Sequence, residues 1–290
     1  MSAVDEPTTL ASTIRGLDAQ RLSRLLTLRP DLANPTPRDL AEVSSRAGTH
    51  ASINAAISSL DRWRLSLLTA LAALGDLTLD ELTDAICQGW PPKPDTIRAD
   101  VADGVSDLLD MVLVLEDSGH LHVIQVVTTH LPGYPAGLAP VSVMPMSSEE
   151  VAERLAAAGP KAHAVLERLV WSPTGHLPNA RRTVTPETAT TPVEMALAHR
   201  LLRPLGDDTV VLPREVALPL RGNRLLAEQP SPTPPAWPEP RQTTLVNRAG
   251  LGTALEAVSA MSALLEGVER HDCALLASGG MAKRDARTVL

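Results

Sequence analysis

Apolar side chains in the first part of the chain recur at every third or fourth position, the spacing that forms one face of a helix. The pattern runs through Leu25 and stops at Arg29, because the proline that follows disfavours continuation of a helix. Thr36 followed by Pro37 predicts the start of a further helix, since threonine caps helices and proline fits the first helical position. The pattern therefore predicts that residues 1–60 form a helical lead-in.

The next stretch, residues 61–127, predicts three helices followed by a β-hairpin. Thr78 and Glu81 have the spacing of a capping box at the start of the second helix. Aspartate, serine and glycine at 117–119 separate two short runs rich in β-branched residues, which is typical of a tight turn between strands. Three helices and a hairpin in this order predict a winged-helix-like domain.

The rest of the chain divides at runs of proline and glycine. Residues 128–147 contain too many helix breakers for a helix and predict a connector, and residues 148–224 predict a second, less complete winged-helix-like domain. A proline-rich linker is predicted at 225–242, and 243–290 predict a long helix and the start of an incomplete further unit. The expected fold class is mainly α with small β wings, with tandem winged-helix-like units preceded by a helical lead-in.

Composition narrows the classes of function. The 290 residues include no Phe, one Tyr and four Trp, which excludes aromatic platforms that stack on single-stranded bases. Cys87 and Cys273 are far apart, so a disulfide framework and a thiolate zinc site made by this chain alone are excluded as well. The sequence shows neither a signal peptide nor an unbroken run of about 18 apolar residues. We therefore expect a cytoplasmic protein without a membrane partner.

One segment carries the whole net charge of −8, because residues 61–127 contain twelve acidic and four basic side chains. At about 100° per residue, four acids fall on the solvent-facing side of the predicted third helix. These are Asp100, Asp103, Asp107 and Asp110. In a winged helix this side meets DNA, and aspartates there forfeit the counterion release that drives DNA association. Direct DNA contact is disfavoured, and two interpretations stay open: a merely solvated face, or a docking surface for a basic protein partner.

Arginines concentrate in the second predicted domain. They are Arg181, Arg182, Arg200, Arg203, Arg214, Arg221 and Arg224. Arginine binds phosphate through two hydrogen bonds, which makes these seven residues the candidate nucleic-acid-binding residues. Acidic residues are interleaved with them, so ordinary surface ion pairs are the alternative interpretation.

No motif for catalysis, nucleotide binding or metal binding is present. Ser278-Gly279-Gly280 before Lys283 lacks the spacing of a phosphate-binding loop. His120 and His122 share one face of a predicted strand, but no third ligand is placed to complete a metal site, so wing-surface histidines are the preferred interpretation. We expect no catalytic residue, no metal ion, no cofactor and no small-molecule substrate.

Several runs of the sequence resemble a known family. The runs are LRPDLANPTPRDLAEVSSRAGTHASINAAISSLDRWRLSLLTALAAL, PGYPAGLAP, LLRPLGDDTVVLPREVALPLRG and SGGMAKRDAR. They resemble the helicase-associated protein of high-GC bacteria, which contains a segment similar to the N-terminal domain of XPB-type DNA helicases. Members of that family are longer, so the resemblance implies that this chain is the N-terminal part of one. It also implies an auxiliary role beside a DNA helicase in DNA repair or transcription, and it defines no catalytic residues.

Two functions follow from these observations as hypotheses. The first is a non-enzymatic, helicase-associated or DNA-associated adaptor that contacts DNA through the second domain and binds a DNA helicase or another basic protein. The alternative is a protein-interaction scaffold with no direct DNA contact. DNA binding and its salt dependence distinguish the two, because phosphate contacts make affinity salt-dependent.

Overall fold

The computed structural model describes residues 9–91, 96–234 and 242–270. The predicted fold class is confirmed at the coarse level, because these residues are mainly helical and carry small antiparallel sheets. The chain divides into two compact units, Met1–Pro232 and Thr233–Leu290. Part of the predicted linker, residues 235–241, and the predicted incomplete unit after residue 270 lie outside the described residues.

The lead-in forms short helices, each begun by a side-chain cap. They are α1 (Leu10–Arg15), α2 (Ala19–Leu28), α3 (Leu40–Ala47) and α4 (His50–Ser59). The caps are the side chains of Thr9, Asp18, Asp39 and Thr49. The predicted start of a helix at Thr36 is wrong, because Asp39 accepts the hydrogen bond from the Glu42 amide and the helix begins after it. An aspartate is as good a cap as a threonine, and here it lies nearer to the apolar face.

Three helices, a hairpin and a short helix follow. They are α5 (Arg62–Leu74), α6 (Leu79–Cys87), α7 (Ile97–Asp110), β1 (Val114–Asp117), β2 (His120–Val123) and α8 (Gln125–Thr128). Thr78 and Glu81 form the expected capping box on α6. Leu77, between α5 and α6, exchanges two backbone hydrogen bonds with Leu121, of 3.1 and 2.7 Å. This bridge places Leu77 beside β2, so the order across the sheet is Leu77, β2, β1.

The second half of the first unit has the order helix, strand, helix and hairpin, with one helix fewer than the first half. Its elements are α9 (Ser148–Leu169), β3 (Thr174–His176), α10 (Pro192–Ala198), β4 (Arg203–Pro204), β5 (Thr209–Val211) and α11 (Arg214–Leu220). The three strands are antiparallel in the order β3, β5, β4. Gly159, at a φ of +80°, breaks α9 into two parts ahead of Pro160. In each half the segment after the first helix therefore pairs with the last strand, through the single bridge at Leu77 in the first half and through β3 in the second.

Aliphatic side chains from the lead-in, both halves and the connector form one continuous core. Ile14, Leu67, Leu108, Leu166 and Val210 are all fully shielded from solvent. The absence of Phe from the sequence explains why leucine, valine and isoleucine fill this core. Residues 9–91 and 96–232 consequently pack as one body.

A buried arginine joins the lead-in to the end of α7. Arg29 is 1% exposed and donates to the carbonyl oxygens of Met111 (3.2 Å) and Ala47 (3.0 Å) and to Ser52 Oγ (2.6 Å). Burial lowers its pKa, and nearby Asp31 opposes that change. Sequence inspection gave Arg29 only the role of ending α2.

The second unit contains α12 (Thr243–Arg270), a helix of 28 residues. None of its side chains is buried among the described residues. Leu251, Val258 and Leu265 are each about 60% exposed, which is unusual for large apolar side chains on one helix.

Candidate functional site

One of the seven candidate arginines for phosphate binding, Arg221, is a structural residue. It is 2% exposed and donates to the carbonyl oxygens of Val170 (2.9 Å), Ala136 (2.9 Å), Gly137 (2.6 Å) and Leu225 (3.3 Å). Its guanidinium also lies 4.0 Å from the ring centre of Trp171, a cation–π distance. Burial lowers the pKa of Arg221 to about 10, so it stays protonated at neutral pH. The prediction that Arg221 contacts nucleic acid is therefore wrong.

Gly137 makes this arrangement sterically possible. Its φ of +63° is a left-handed conformation, and a Cβ added there would lie 2.4 Å from the Trp171 carbonyl oxygen. The connector can therefore approach the end of α9 closely enough for one arginine to bind both. The sequence gives no sign of this, because a backbone carbonyl occurs at every residue.

Two further candidate arginines also act inside the fold. Arg214 is half-buried and donates to the carbonyl oxygens of Ala73 and Leu74, at the C-terminal end of α5. Arg224 donates to the Arg221 carbonyl oxygen at 2.9 Å, and its guanidinium lies 5.1 Å from the ring centre of Trp90. Both terminal nitrogens of Arg214 are directed at α5, and Arg224 uses its Nε and the face of its guanidinium within the fold.

The arginines of the loop after β3 are paired with acids. Arg182 binds Glu194, a 5% exposed carboxylate on α10, and Arg181 lies 3.3 Å from Asp207. These contacts match the alternative interpretation of ion pairs. Arg200 is exposed, and no ion pair or hydrogen bond given by the structure occupies it. Arg203 is half-exposed and donates to the Pro140 carbonyl oxygen at 3.5 Å. The predicted arginine surface is therefore reduced to this pair.

Arg200 and Arg203 border an apolar groove of about 370 Å³. The groove lies between the segment 142–146, the end of α10 and β4, and Met144 and Leu197 line it. The neighbouring Val143 is 95% exposed. An apolar side chain of a partner fits such a groove better than a phosphate does, because most of its lining is aliphatic.

The acidic side of α7 is covered by the lead-in. Arg24 on α2 binds Asp107 (2.7 Å) and Asp110 (2.5 Å), and Arg64 on α5 donates to Asp107 from its Nε at 2.7 Å. Asp110 is 9% exposed, so the prediction of one solvent-facing row of four aspartates is wrong at Asp107 and Asp110. The helical spacing placed them correctly on one side, but α2 covers that side. The basic partner of these two carboxylates belongs to the same chain.

The contact between α2 and α7 does not include Asp100 and Asp103. These two residues lie about two turns and one turn before Asp107 on α7. Asp103 is exposed, and Asp100 is half-exposed and accepts a hydrogen bond from Trp63 Nε1 through its backbone carbonyl (3.2 Å). Two carboxylates are a small docking surface. A role of Asp100 and Asp103 in binding a basic partner stays a prediction.

We expect Asp107→Asn to destabilise the folded protein by about 1 kcal/mol at pH 7, since the arginines it binds are partly screened by solvent. Burial raises the pKa of Asp107, but hydrogen bonds from Arg64 and Arg24 outweigh it and lower the pKa below the usual value. A lowered pKa means that the stabilisation is present above about pH 4 and is lost as the pH falls through the folded-state pKa. Urea unfolding at pH 7 and in acid measures both effects.

Asp103→Asn is the matched control, because it removes the same charge from an exposed position of the same helix. It should change the free energy of unfolding by less than about 0.5 kcal/mol at either pH. Equal effects of the two substitutions at pH 7 would contradict the contact between α2 and α7.

Histidines do not gather into a metal site. His50 Nδ1 and His130 Nε2 are 3.0 Å apart and link α4 to the end of α8. Within the described ranges, no group of three or more His, Cys, Asp or Glu side chains has an arrangement that fits a metal ion. His120 is exposed at the hairpin turn, beside the Ser118 carbonyl oxygen.

Among the described residues, α12 carries an exposed apolar surface. Six apolar residues of this helix repeat with the seven-residue spacing of a coiled coil, at alternating steps of three and four, while Leu245, Val246 and Leu255 are exposed outside this repeat. The repeat consists of Leu251, Ala254, Val258, Met261, Leu265 and Val268, which we call the α12 seam. Glu256 and Ser259 lie on the other side of the helix. Sequence inspection found the helix but missed the seam, although its spacing is present in the sequence.

α12 also meets the length and composition of a membrane span. An 18-residue window has a mean hydropathy of 1.3, although no unbroken apolar run of that length exists. The expectation that no segment crosses a membrane thus rested on too strict a criterion. A membrane span is apolar on all sides, whereas the large side chains of α12 are concentrated on one side.

The comparisons with known proteins add no relative. No family model, no curated protein and no solved structure matches this chain. The resemblance to the helicase-associated family therefore stays a prediction from the sequence runs that carry it.

Proposed function

We propose that this chain is a non-enzymatic protein-interaction adaptor, and that its two winged-helix-like halves are not DNA readers. The observation that carries the proposal is the α12 seam, a continuous apolar row without a buried member among the described residues. Monomeric soluble proteins rarely leave such a row uncovered. The chain therefore uses α12 to bind another protein surface.

The order of strands supports a winged-helix-like assignment for both halves. In this fold the first strand pairs with the last, and the hairpin forms the wing. Leu77 pairs with β2 in the first half, and β3 pairs with β5 in the second. α7 and α10 then occupy the position of the recognition helix, which enters the major groove in DNA-binding relatives of the fold.

The surfaces at these positions favour the interaction scaffold over the DNA-associated adaptor. α7 is covered by α2, and its side facing α2 is acidic. α10 contains no basic residue, and the turn of the second hairpin carries Asp207 and Asp208. Carboxylates at these positions repel phosphate, and Arg214 and Arg221 are used within the fold. The partner implied by the resemblance, a DNA helicase, is a candidate for the protein that the adaptor binds in the cytoplasm.

A DNA titration of the full chain tests this function. We expect no saturable binding of duplex DNA at low salt, because the surfaces that would meet phosphates are acidic or covered. Replacing Asp207 and Asp208 by lysine should create weak binding, because positive charges at a wing contact the DNA backbone.

Fluorescence anisotropy of a labelled duplex at two salt concentrations supplies the measurement. Micromolar binding by the unaltered chain that weakens as salt rises would overturn the proposal in favour of the DNA-associated adaptor. The Arg200→Ala and Arg203→Ala variants would then locate the contact. Failure of the lysine variant to bind any better than the unaltered chain would count against the wing assignment.

A further inference from the structure

We infer that α12 pairs with α12 of a second copy of this chain, as an antiparallel two-stranded coiled coil that makes the protein a dimer. This inference rests on the proposed function, because it names the first partner of the adaptor's docking helix. The partner is chosen by the spacing, side-chain sizes and charges of α12.

The seam has the two positions that a coiled coil requires. Leu251, Val258 and Leu265 occupy one core position of the heptad, and Ala254, Met261 and Val268 occupy the other. The row spans about 26 Å along the helix axis, at about 1.5 Å per residue. Leu255 is also exposed and lies directly beside the seam, so it widens the apolar side that a second helix would cover.

An antiparallel arrangement fits the sizes of the seam residues. It places Ala254 opposite Leu265 of the second copy, and Val258 opposite Met261 of the second copy. Each of these layers joins a smaller side chain to a larger one and fills a similar volume. A parallel arrangement places Ala254 opposite Ala254, which leaves one layer underfilled.

The charges beside the seam favour the same direction. Arg248 and Glu269 both occupy the heptad position next to the core, near opposite ends of α12. In the antiparallel dimer each Arg248 faces Glu269 of the second copy, which gives two opposite-charge pairs. A parallel dimer would place Arg248 beside Thr243 and Glu269 beside Leu264, with no pair. Antiparallel helix dipoles also attract each other.

The membrane is the competing environment for this helix. In a bilayer Glu256, near the middle of α12, would face lipid or need a partner within the membrane. In the coiled coil Glu256 lies on the outer side and stays in water. The position of this carboxylate therefore supports a protein partner.

Sedimentation equilibrium of the full chain tests the dimer. We expect a reversible monomer–dimer equilibrium with a dissociation constant in the micromolar range, because the seam covers only two and a half heptads. Val258→Glu places a charge in the seam and should weaken dimerisation by at least about a hundredfold. Ser259→Glu is the matched control, since it adds the same charge to the adjacent outer position, and it should dimerise like the unaltered chain.

Charge exchange tests the direction of the helices. Arg248→Glu and Glu269→Arg should each weaken the dimer several-fold, because each creates like-charge pairs across the interface. The double variant should restore the original dissociation constant, because it re-forms both pairs in reverse. A dimer without this rescue would overturn the antiparallel arrangement.

Flotation with vesicles of phosphatidylcholine and phosphatidylglycerol distinguishes a failure of the dimer from a failure of the adaptor proposal. A chain that stays monomeric and does not float overturns the self-association and leaves the adaptor proposal standing. A chain that floats because α12 inserts overturns both. A dimer that is unaffected by Val258→Glu also overturns this inference, since the seam would not be its interface.

Discussion

Replacing Arg221 by methionine should lower the free energy of unfolding by about 3 to 5 kcal/mol. Methionine has a similar length but donates no hydrogen bond, so the buried carbonyl oxygens of Val170, Ala136 and Gly137 lose their donor. The cation–π contact with Trp171 is lost as well. Because single domains are stable by only about 5 to 15 kcal/mol, this is a large part of the total. Urea unfolding followed by circular dichroism measures it.

Arg200→Met is the matched control for Arg221→Met, because Arg200 is an exposed arginine of the same half. It should change stability by less than about 0.5 kcal/mol. Arg221→Lys should remain strongly destabilising, since one ammonium group cannot reach carbonyl oxygens that a planar guanidinium binds from several sides. A mild effect of Arg221→Met would contradict the structural role given to this side chain.

The second large effect is expected for Arg29→Met, at about 3 kcal/mol of lost stability. The substitution removes the donors to the Met111 and Ala47 carbonyl oxygens and to Ser52 Oγ. It also leaves Asp31 beside Ser52 without the nearby positive charge. Because Met111 follows α7, the loss should loosen the lead-in and α7 together.

Hydrogen exchange of the full chain distinguishes this local loosening from a general loss of stability. Amides of α3, α4 and the end of α7 should exchange faster in Arg29→Met, while those of β3 and β5 keep their relative protection. Arg38→Met, at an exposed position in the same lead-in, should leave the pattern unchanged. Uniform acceleration across the chain would show that Arg29 does not act as a local link.

Local features of the fold were predictable because their signals lie within a few residues of each other. The Thr78 and Glu81 capping box and the turn between β1 and β2 depend on spacings of two to four residues. Thr36 and Asp39 are alternative caps for the same helix, three residues apart. The Thr36-Pro37 pair favoured the wrong one. Tertiary packing against the lead-in core decided between them.

The hydrogen-bond partners of the buried arginines could not be predicted, for a different reason. Backbone carbonyls carry no sequence signature, so no residue near Arg29 or Arg221 indicates that these two side chains are buried. For Arg221, clustering with other arginines in the sequence instead favoured a surface role. The same holds for Asp107 and Asp110, whose side of the helix was predicted correctly while the helix that covers it was not.

The α12 seam is the opposite case, since its heptad spacing is fully contained in the sequence. Counting apolar residues for a membrane span, or for one long helix, did not reveal it. A search of the sequence for apolar residues at a period of seven is sufficient to find the seam.

The ion pairs between α2 and α7 affect how truncated versions of this gene should be interpreted. A deletion that starts translation at residue 61 removes Arg24, and Arg29 with it, so Asp107 and Asp110 lose a charged neighbour and Met111 loses its donor. The uncovered carboxylates of such a product would bind polycations nonspecifically. Its loosened fold would also be cleaved more readily by proteases. A phenotype of that allele would therefore report damage to the downstream half as much as loss of the first sixty residues.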